Sequence, residues 1–457
     1  MTIETEHTVE PLDELKDALQ EGNKQQLETL CNTLSPSETA RAVLRLDSED
    51  QTQLLTLLEP KDAAEVITTI PEEEAAHFIE ELPTDQAAPI IEELRSNHQA
   101  DLLNYLTESK AEQILESLST ENASEIKQLM TYPEDTAGSL MITEYLAYPE
   151  HFNVDDVLAD LRQQGETYAD YAIQYAYVIS KAGKLMGVLR LRDLLLSVKT
   201  SPIEKLMISN PLCLKDHAHL NELQDFFNQY AFLGVPVVSD DNVLVGIVSR
   251  FAVEEAVKQK ANKIFLKVSG IVGGEEYRSM SLFSRSSRRL SWLSVNIVLN
   301  IVAASVIAFY QDTLEKAITL AVFLPIISDM SGCSGNQAVA VSMRELSLGL
   351  VRPKELWRVF SKEAAIGIVN GIVLGCLLGG VALLWKGNPY LGLVVGGALA
   401  TNTLLAVCLG GSIPLVLRRL KVDPALASGP LLTTITDMCG FFFVLSFATI
   451  VLSKISG

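Results

Sequence analysis

Two acidic side chains occur inside segments that are otherwise apolar enough to cross a lipid bilayer. Asp437 lies in the run 430–452, PLLTTITDMCGFFFVLSFATIVL, and Asp329 lies in the run 317–343, and neither run contains Lys or Arg. An unpaired ionisable group at membrane depth costs at least about 2.5 to 3.5 kcal/mol, so it usually faces a protein interior or a water-filled path. The two carboxylates therefore predict a cation site. The alternative is a structural role, in which a protonated Asp hydrogen-bonds to a neighbouring helix.

The residues around these two acids add oxygen ligands. Thr433 and Thr434 precede Asp437 by four and three positions, so on a helix their hydroxyl groups share its face. Cys333, Asn336 and Gln337 follow Asp329 at i+4, i+7 and i+8, on one polar stripe of a helix. The candidate metal site consists of Asp437, Asp329, Thr433, Thr434, Asn336 and Gln337. Hard oxygen ligands without a His or Cys cluster suit Mg²⁺ or Ca²⁺ better than zinc or copper.

The second apolar run predicts an interrupted helix. It contains FLPIISDMSGCSGNQ, in which Pro325, Gly332 and Gly335 are unfavourable in a helix interior. Broken helices occur in membranes where the freed carbonyl groups face protein or a water-filled cavity. The Gly-rich third and fourth runs predict close helix packing instead, with Asn370 and Asn402 as further candidates for lining a path.

Five apolar segments reach the roughly 20 residues that a helix needs to span the hydrocarbon core. They are 291–310, 317–343, 364–385, 391–417 and 430–452. Basic residues concentrate between spans two and three and between spans four and five, whereas the opposite loops QDTLEK and KGNPY carry one base each. By the positive-inside rule the N-terminus is cytoplasmic and the C-terminus is outside. The sequence thus predicts a multi-pass membrane protein with the lipid bilayer as a partner.

The first part of the chain is acidic and repetitive. Residues 1–130 hold 29 acidic and 8 basic residues, and their net charge of −21 equals that of the whole chain, which argues against nucleic acid as a partner. Residues 35–130 repeat with a period of twelve, and the two apolar columns at i and i+4 of each unit are predicted to share one face of a short helix. Because a two-turn helix cannot bury its own apolar stripe, the units predict a stacked α-superhelical solenoid. The solenoid is interpreted either as a docking scaffold or as a contributor to ion sensing through its carboxylates.

Two similar segments follow, 176–196 and 235–255, each with the pattern strand, turn, strand, helix. The turns are predicted at Ala182-Gly183 and Asp241-Asn242. Such a pair resembles tandem CBS domains, which commonly sense adenine nucleotides or ions and relay that state to a partner.

The nucleotide motif of CBS domains, Gly-x-x-Ser/Thr-x-x-Asp, is incomplete in both copies. The first copy keeps Asp193 but has Arg190 at the hydroxyl position. The second copy keeps Ser249 but has Ala252 at the acid position. Asp193 and Ser249 are therefore the nucleotide candidates, and whether nucleotide binds is left open.

The order of these parts resembles the MgtE family of magnesium channels over essentially the whole chain. The matching stretches are LDSEDQTQLLTLLEP, DTAGSLM (135–141), RRLSWL (288–293), FLPIISDMSGCSGNQ and DPALASGPLLTTITD (423–437). The resemblance implies a homodimer in the inner or plasma membrane, with a pore along the dimer axis and an ion site around Asp437. It also implies that the solenoid and CBS domains bind Mg²⁺ and then hold the connecting helices in a closed arrangement.

The second span departs from the family pattern. The family usually has GMGGNxGNQ there, whereas this chain has Asp329, Ser331 and Cys333 in place of Gly, Gly and Asn. An added carboxylate near the conduction path is expected to alter ion preference.

The regulatory region departs as well. The family's acidic VDDV and EATEDI stretches are replaced by RFAV (250–253) and QKANKI (259–264). Since those acids would hold regulatory ions, positive charge from Lys260 and Lys263 would occupy the place of bound Mg²⁺. Closure by cytoplasmic Mg²⁺ is therefore expected to be weakened.

The resulting prediction is a mainly α protein with an N-terminal α-solenoid, α/β tandem CBS domains and a five-helix transmembrane domain. Its domains are an acidic α-superhelical N domain (1–130), tandem CBS domains (131–258), a connecting plug helix (259–290) and a pore domain (291–457). The predicted function is a dimeric channel or transporter that conducts Mg²⁺ into the cytoplasm, gated by its cytosolic domains. The alternatives are a channel for another divalent cation such as Mn²⁺ or Co²⁺, and a non-conducting CBS-containing membrane sensor. No enzyme is predicted, because the sequence contains no nucleophile, base and oxyanion arrangement, Walker loop or metal triad.

Overall fold

The computed structural model describes residues 11–165, 167–168, 171, 175–271, 280 and 282–455. The chain divides into two compact units, Met1–Lys260 and Ala261–Gly457. Helices dominate the first unit, which also contains two small sheets, and the described residues of the second unit form helices and their connections. This composition confirms the predicted fold class.

A helical solenoid opens the described part of the chain. Its helices are α1 (Pro11–Glu21), α2 (Lys24–Thr33), α3 (Pro36–Val43), α4 (Ser48–Leu57), α5 (Pro60–Thr69), α6 (Glu72–Glu81), α7 (Thr84–Glu92), α8 (Ser96–Tyr105), α9 (Glu108–Ser117) and α10 (Thr120–Leu129). From α3 onward they begin at positions 36, 48, 60, 72, 84, 96, 108 and 120, which confirms the twelve-residue repeat. Each of these helices packs on the helix two units away, so the apolar stripes bury one another.

The two apolar columns of the repeat take different positions. Members of the first column lie within the helices and are at most 3% exposed: Leu54, Val66, Phe78, Ile90, Leu102, Ile114 and Ile126. Most members of the second column are extended C-cap residues just past the helix end: Leu58, Ile70, Leu82, Leu106 and Leu118. The expectation that both columns share one helix face is therefore wrong for these units. The next helix begins only two residues later, so the chain must turn at the second apolar residue.

Two small sheets follow the solenoid. Their strands are β1 (Leu146–Pro149), β2 (Tyr175–Ile179), β3 (Leu185–Arg190) and β4 (Ile208–Ser209) in one sheet, and β5 (Leu214–Lys215), β6 (Gly234–Val238) and β7 (Leu244–Ser249) in the other. Each sheet contains a parallel pair, β1–β2 or β5–β6, followed by an antiparallel hairpin, β2–β3 or β6–β7. The accompanying helices are α11 (Ala137–Leu140), α12 (Val154–Gln163), α13 (Leu191–Leu196), a short 3₁₀ helix (Ile203–Lys205) and α14 (Leu220–Gln229). The equivalent order confirms the internal duplication.

The hairpin tips lie at the predicted turns. Gly183 has a φ of 73° and Asn242 a φ of 65°, a left-handed conformation that glycine and asparagine tolerate best. The tips also pair with each other, since Leu185 N donates to Asn242 O at 3.0 Å and Leu244 N donates to Gly183 O at 3.1 Å. These reciprocal bonds join the two copies into one module.

Helix α15 (Arg250–Val268) follows β7 without a break. The predicted boundary between residues 258 and 259 therefore lies inside a continuous helix. Of the predicted connecting segment, residues 272–279 and 281 lie outside the described residues, and residues 282–290 belong to the next helix.

The second unit consists of α16 (Leu282–Phe309), α17 (Gln311–Lys316), a 3₁₀ helix (Ile318–Val322), α18 (Leu324–Ser347), a 3₁₀ helix (Pro353–Glu355), α19 (Leu356–Lys386), α20 (Pro389–Arg419), α21 (Pro424–Ile450) and α22 (Leu452–Ile455). Among the described residues, five helices are long and apolar enough to cross a membrane, as predicted. The predicted interruption at Gly332 and Gly335 is wrong, because α18 runs unbroken through both. Pro325 lies in the first turn of α18, where a missing N–H costs no intrahelical hydrogen bond.

Helix α20 is the centre of the membrane unit, and α18, α19 and α21 all pack on it. Its contact with α19 depends on glycines, as predicted. A Cβ added at Gly371 would lie 2.6 Å from Ala400 O, and one added at Gly375 would lie 2.5 Å from Gly396 O. The two backbones therefore approach more closely than side chains would permit.

Candidate ion site in the membrane domain

Asp437 lies near the middle of α21 and is half-buried. Because α21 begins at Pro424, before the predicted run, the carboxylate lies about 20 Å along the helix from its start. The hydroxyl of Ser328 on α18 donates a hydrogen bond to Asp437 Oδ1. Among the ion pairs of the described residues, none involves Asp437. A neutral donor thus satisfies one carboxylate oxygen and leaves the negative charge uncompensated.

Sequence reasoning missed Ser328. A signal for it exists in the small residues Ser328, Ser331, Gly332 and Gly335, which recur at i, i+3, i+4 and i+7. The last three are buried, so this stripe is the face that α18 turns toward its neighbouring helices.

The predicted stripe of α18 occupies another face of the helix. Its members are exposed: Asp329, Cys333, Asn336 and Gln337. The prediction that they share a face is confirmed, and this face is a surface of the single chain. Since Asp329 follows Ser328 directly, the structure brings both acids to the same level of two neighbouring helices.

Thr433 and Thr434 use their hydroxyl hydrogens within α21. Thr433 Oγ1 donates to Gly429 O at 3.0 Å, and Thr434 Oγ1 donates to Pro430 O at 2.8 Å. Their lone pairs remain as acceptors for a hydrated ion, while the donor to the Asp437 carboxylate is Ser328. Their role as ligands stays a prediction.

The possible metal ligands around Asp437 and Asp329 are mainly oxygen atoms. Among the described residues, no three His, Cys, Asp or Glu side chains are arranged to enclose a metal ion. Carboxylate, hydroxyl and amide oxygens that do not enclose an ion suit one that keeps most of its water, as Mg²⁺ does because it loses its hydration shell reluctantly.

Asn402 does not line an open path, contrary to the expectation for it. It is 0% exposed in α20, and its amide nitrogen donates to Ser331 Oγ and to Thr436 O.

The nucleotide candidates of the CBS pair already have intramolecular partners. Asp193 forms ion pairs with Arg190 and Arg192, each at 3.5 Å. Ser249 Oγ accepts a hydrogen bond from Ala252 N at 3.1 Å, at the start of α15. Arg190, which replaces the motif's hydroxyl residue, thus pairs with the acid that the motif retains. A nucleotide role for Asp193 and Ser249 stays a prediction.

Two lysines of α15 contact aspartates. Lys260 Nζ lies 2.7 Å from Asp135 Oδ2 within the first unit. Within the second unit, Lys267 Nζ lies 2.9 Å from Asp423 Oδ2. Asp423 also caps α21 by accepting from Ala425 N at 2.9 Å. Partial burial raises the pKa of the Asp423 carboxyl, but the hydrogen bonds from Lys267 and Ala425 outweigh it, and the pKa lies below its usual value.

Five membrane-length helices with carboxylates at depth, in one chain with a helical solenoid and a CBS pair, define a multi-pass transporter of divalent cations. Comparison with known families gives the same class. The family described as "Divalent cation transporter" matches residues 324–447. The "MgtE intracellular N domain" matches residues 34–135, and a CBS domain matches residues 203–258.

The chain belongs to the MgtE family of magnesium transporters, and Mg²⁺ is the ion that this family transports. It is 33% identical over 324 residues to the magnesium transporter MgtE of Bacillus subtilis, covering 71% of each chain. It is 32% identical to the magnesium transporter MgtE of Thermus thermophilus, covering 72% of this chain and 73% of the relative. A solved cytosolic domain of the Mg²⁺ channel MgtE in complex with ATP is 30% identical, with a TM-score of 0.50, covering 53% of this chain and 99% of that one. The two curated relatives are named as transporters, not as enzymes.

Proposed function

We propose that this chain forms a homodimeric channel that conducts Mg²⁺ into the cytoplasm, with Asp437 as the central ion-attracting group. The observation that carries the proposal is the half-buried Asp437 carboxylate, which has a neutral serine donor and takes part in no ion pair among the described residues. A carboxylate held at that depth is stabilised by a cation that passes. Its oxygen-rich surroundings favour a hydrated, hard divalent ion.

The exposed polar face of α18 supports the proposed dimer. Asp329 and Asn336 lie on the surface of the single chain, inside a helix that spans the membrane. Facing lipid, such groups would be costly. A second copy related by a two-fold axis would cover them and would place two sets of oxygen ligands across one axis. One or two carboxylates then suffice for a largely hydrated Mg²⁺.

The same proposal assigns topology and domains. The basic connections between spans two and three and between spans four and five support a cytoplasmic N-terminus and an external C-terminus. Residues 1–130, 131–258, 259–290 and 291–457 then serve as the acidic N domain, CBS pair, connector and pore domain. The first three segments form the cytosolic part that gates the pore.

Flux into liposomes containing a Mg²⁺-sensitive dye tests the proposal. Asp437→Ala and Asp437→Asn are expected to abolish uptake, because both remove the charge that attracts the ion. The matched control is Asp312→Asn, which removes an exposed acid of α17 at one end of the membrane unit and should leave uptake unchanged. Normal uptake by Asp437→Asn would contradict the proposal. Unchanged magnesium-dependent growth of cells that carry Asp437→Ala would favour the non-conducting sensor.

We further propose that cytoplasmic Mg²⁺ closes this channel only weakly. The support is the ion pair of Lys260 with Asp135, which places an ammonium group beside a carboxylate that would otherwise be available to a divalent cation. Uptake should therefore vary little as internal Mg²⁺ is raised. Lys260→Gln should restore inhibition, whereas Lys258→Gln, at an exposed position of the same helix, should not. Strong closure of the unaltered protein at millimolar internal Mg²⁺ would refute this part.

Asp329 favours a second candidate, a channel that accepts another divalent cation. It adds an exposed carboxylate at the level of Asp437, next to Cys333 on the same face. Uptake competition with Mn²⁺ or Co²⁺ tests this candidate. Competition that weakens in Asp329→Gly supports a broader ion range, and equal competition in both proteins argues against it.

A further inference from the structure

The buried amide of Asn402 joins three membrane helices. It lies on α20, its side chain is 0% exposed, and its nitrogen is a donor in two hydrogen bonds. One goes to Ser331 Oγ on α18, and the other, at 3.0 Å, goes to Thr436 O on α21. Both amide hydrogens are therefore used to connect neighbouring helices. Such bonds are stronger in a low-dielectric interior, where water does not compete for the donors.

The two acceptors lie beside the Asp437 carboxylate. Thr436 is the residue directly before Asp437, and Ser331 is one helical turn from Ser328, whose hydroxyl donates to Asp437. Helices α18 and α21 are thus connected at two adjacent points, once directly and once through Asn402. Asn402 itself does not bond to the carboxylate. It acts on the backbone that carries Asp437 and on the helix that carries its donor.

Gly440 makes room for this contact. In an α-helix the N–H of residue 440 bonds to the carbonyl of residue 436, so the Asn402 bond is a second one on the same oxygen, which has two lone pairs. A Cβ at position 440 would lie 2.7 Å from Asn402 Nδ2. Any side chain there would push the amide away from Thr436 O.

A buried asparagine amide costs free energy that an apolar side chain at position 402 would not. Asn402 Oδ1 is buried without a hydrogen-bond partner among the described residues. An apolar side chain of similar size would avoid this unsatisfied group. The two donated bonds therefore account for an asparagine at this position.

We infer that Asn402, together with Gly440, is a positioning residue for Asp437. Asn402 fixes the rotation of α21 about its axis and its position along that axis relative to α18. The Asp437 carboxylate is thereby held in one orientation toward the ion. The inference rests on the proposed role of Asp437 as the ion site. Loss of the amide donors is expected to weaken ion binding at Asp437 and to reduce discrimination between Mg²⁺ and other divalent cations, while the pore remains open.

The test measures Mg²⁺ uptake into liposomes for Asn402→Leu and Gly440→Ala, each with its thermal midpoint. Both are expected to raise the half-saturating Mg²⁺ concentration roughly tenfold, as for one lost hydrogen bond, with maximal flux changed less. Combined, they should have little more effect than either alone, because both break the same contact. The control is Thr403→Val at the next position of α20, equally buried and with a hydroxyl that has no partner among the described residues, and it should keep the half-saturating concentration of the unaltered protein.

The outcomes separate this inference from the proposed function. If Asp437→Asn conducts normally, the ion site is elsewhere and both fail. If Asp437→Asn is inactive while Asn402→Leu and Gly440→Ala keep the normal half-saturating concentration and Mg²⁺ preference, the positioning role alone is refuted. If Thr403→Val shifts the half-saturating concentration as much as Asn402→Leu, general disruption of α20 explains the effect and the inference is again refuted. If Asn402→Leu does not fold, Gly440→Ala decides, because it retains the asparagine.

Discussion

The close packing of α19 on α20 at their glycines can be tested by replacing single glycines with alanine. In Gly375→Ala the new methyl group would lie 2.5 Å from Gly396 O and 3.0 Å from the Cβ of Ala400. Real Cβ atoms do not approach a backbone oxygen so closely, so the helices would have to separate by about half an ångström or more. Gly380→Ala is the matched control, because it lies on the same helix and its Cβ would meet nothing within 4 Å.

The expected loss of stability is estimated from the difference in the free energy of unfolding between Gly375→Ala and Gly380→Ala. Both replace glycine by alanine inside a helix, which by itself stabilises by about 0.5–1 kcal/mol, and this gain is common to both. The difference between the two variants is therefore the free-energy cost of overpacking in Gly375→Ala, typically about 1–3 kcal/mol. The unfolding equilibrium constants of the two variants should therefore differ about 5- to 150-fold.

The assay is reversible unfolding in mixed micelles of increasing SDS content, followed by tryptophan fluorescence, with Mg²⁺ uptake measured in parallel. We expect Gly380→Ala to be at least as stable as the unaltered protein and Gly375→Ala to be clearly less stable. Equal stability of the two variants would refute the close backbone contact, and with it the arrangement of α20 against α19.

Three further predictions concern the other elements. Ile114→Ala, at a side chain that is 0% exposed, should destabilise the solenoid by about 2–5 kcal/mol in thermal unfolding, whereas Glu112→Ala on its exposed face should change little. Because the pKa of Asp423 is lowered in the folded state, its contribution is complete above the ordinary Asp pKa of about 3.9 and is lost as the pH falls through the lower folded value. The stability advantage of the unaltered protein over Asp423→Asn should thus be constant from about pH 8 to pH 5 and shrink below about pH 4, and a decline near neutral pH would contradict the contact with Lys267. Ser249→Ala removes the acceptor for Ala252 N and should destabilise the start of α15 by about 0.5–2 kcal/mol, seen as faster amide hydrogen exchange in its first turn.

Local patterns predicted most elements correctly. The twelve-residue repeat gave the starts of the solenoid helices, because most units open with Ser, Asp, Pro or Thr and then place an apolar residue that must be buried at a fixed position. The turns at Gly183 and Asn242 followed from residues that tolerate a positive φ. Helix ends were less predictable. The second apolar column proved to lie past the helix, since the start of the next unit limits the helix length.

The sequence predicted the two acids of the candidate site, but it did not predict which side chains form hydrogen bonds with them. Asp437 and Asp329 stand out because a charge in an apolar run is rare and costly. Thr433 and Thr434 were natural candidates as helical neighbours, but their hydroxyls donate to their own helix. The donor to Asp437 is Ser328, which comes from another helix.

The sequence by itself determined the five spans, the stacked repeat, the duplicated hairpins and the two costly carboxylates, because each follows from local periodicity, turn chemistry or the price of charge in lipid. The tertiary structure decided which side chains meet at Asp437. Ser328 is separated from it by 109 residues, and Asn402 joins the two helices from a third. In a membrane both the inward and the outward faces of a helix are apolar, so hydropathy does not specify its rotation. Close backbone contacts and a few buried hydrogen bonds specify it instead, and these exist only once the helices are packed together.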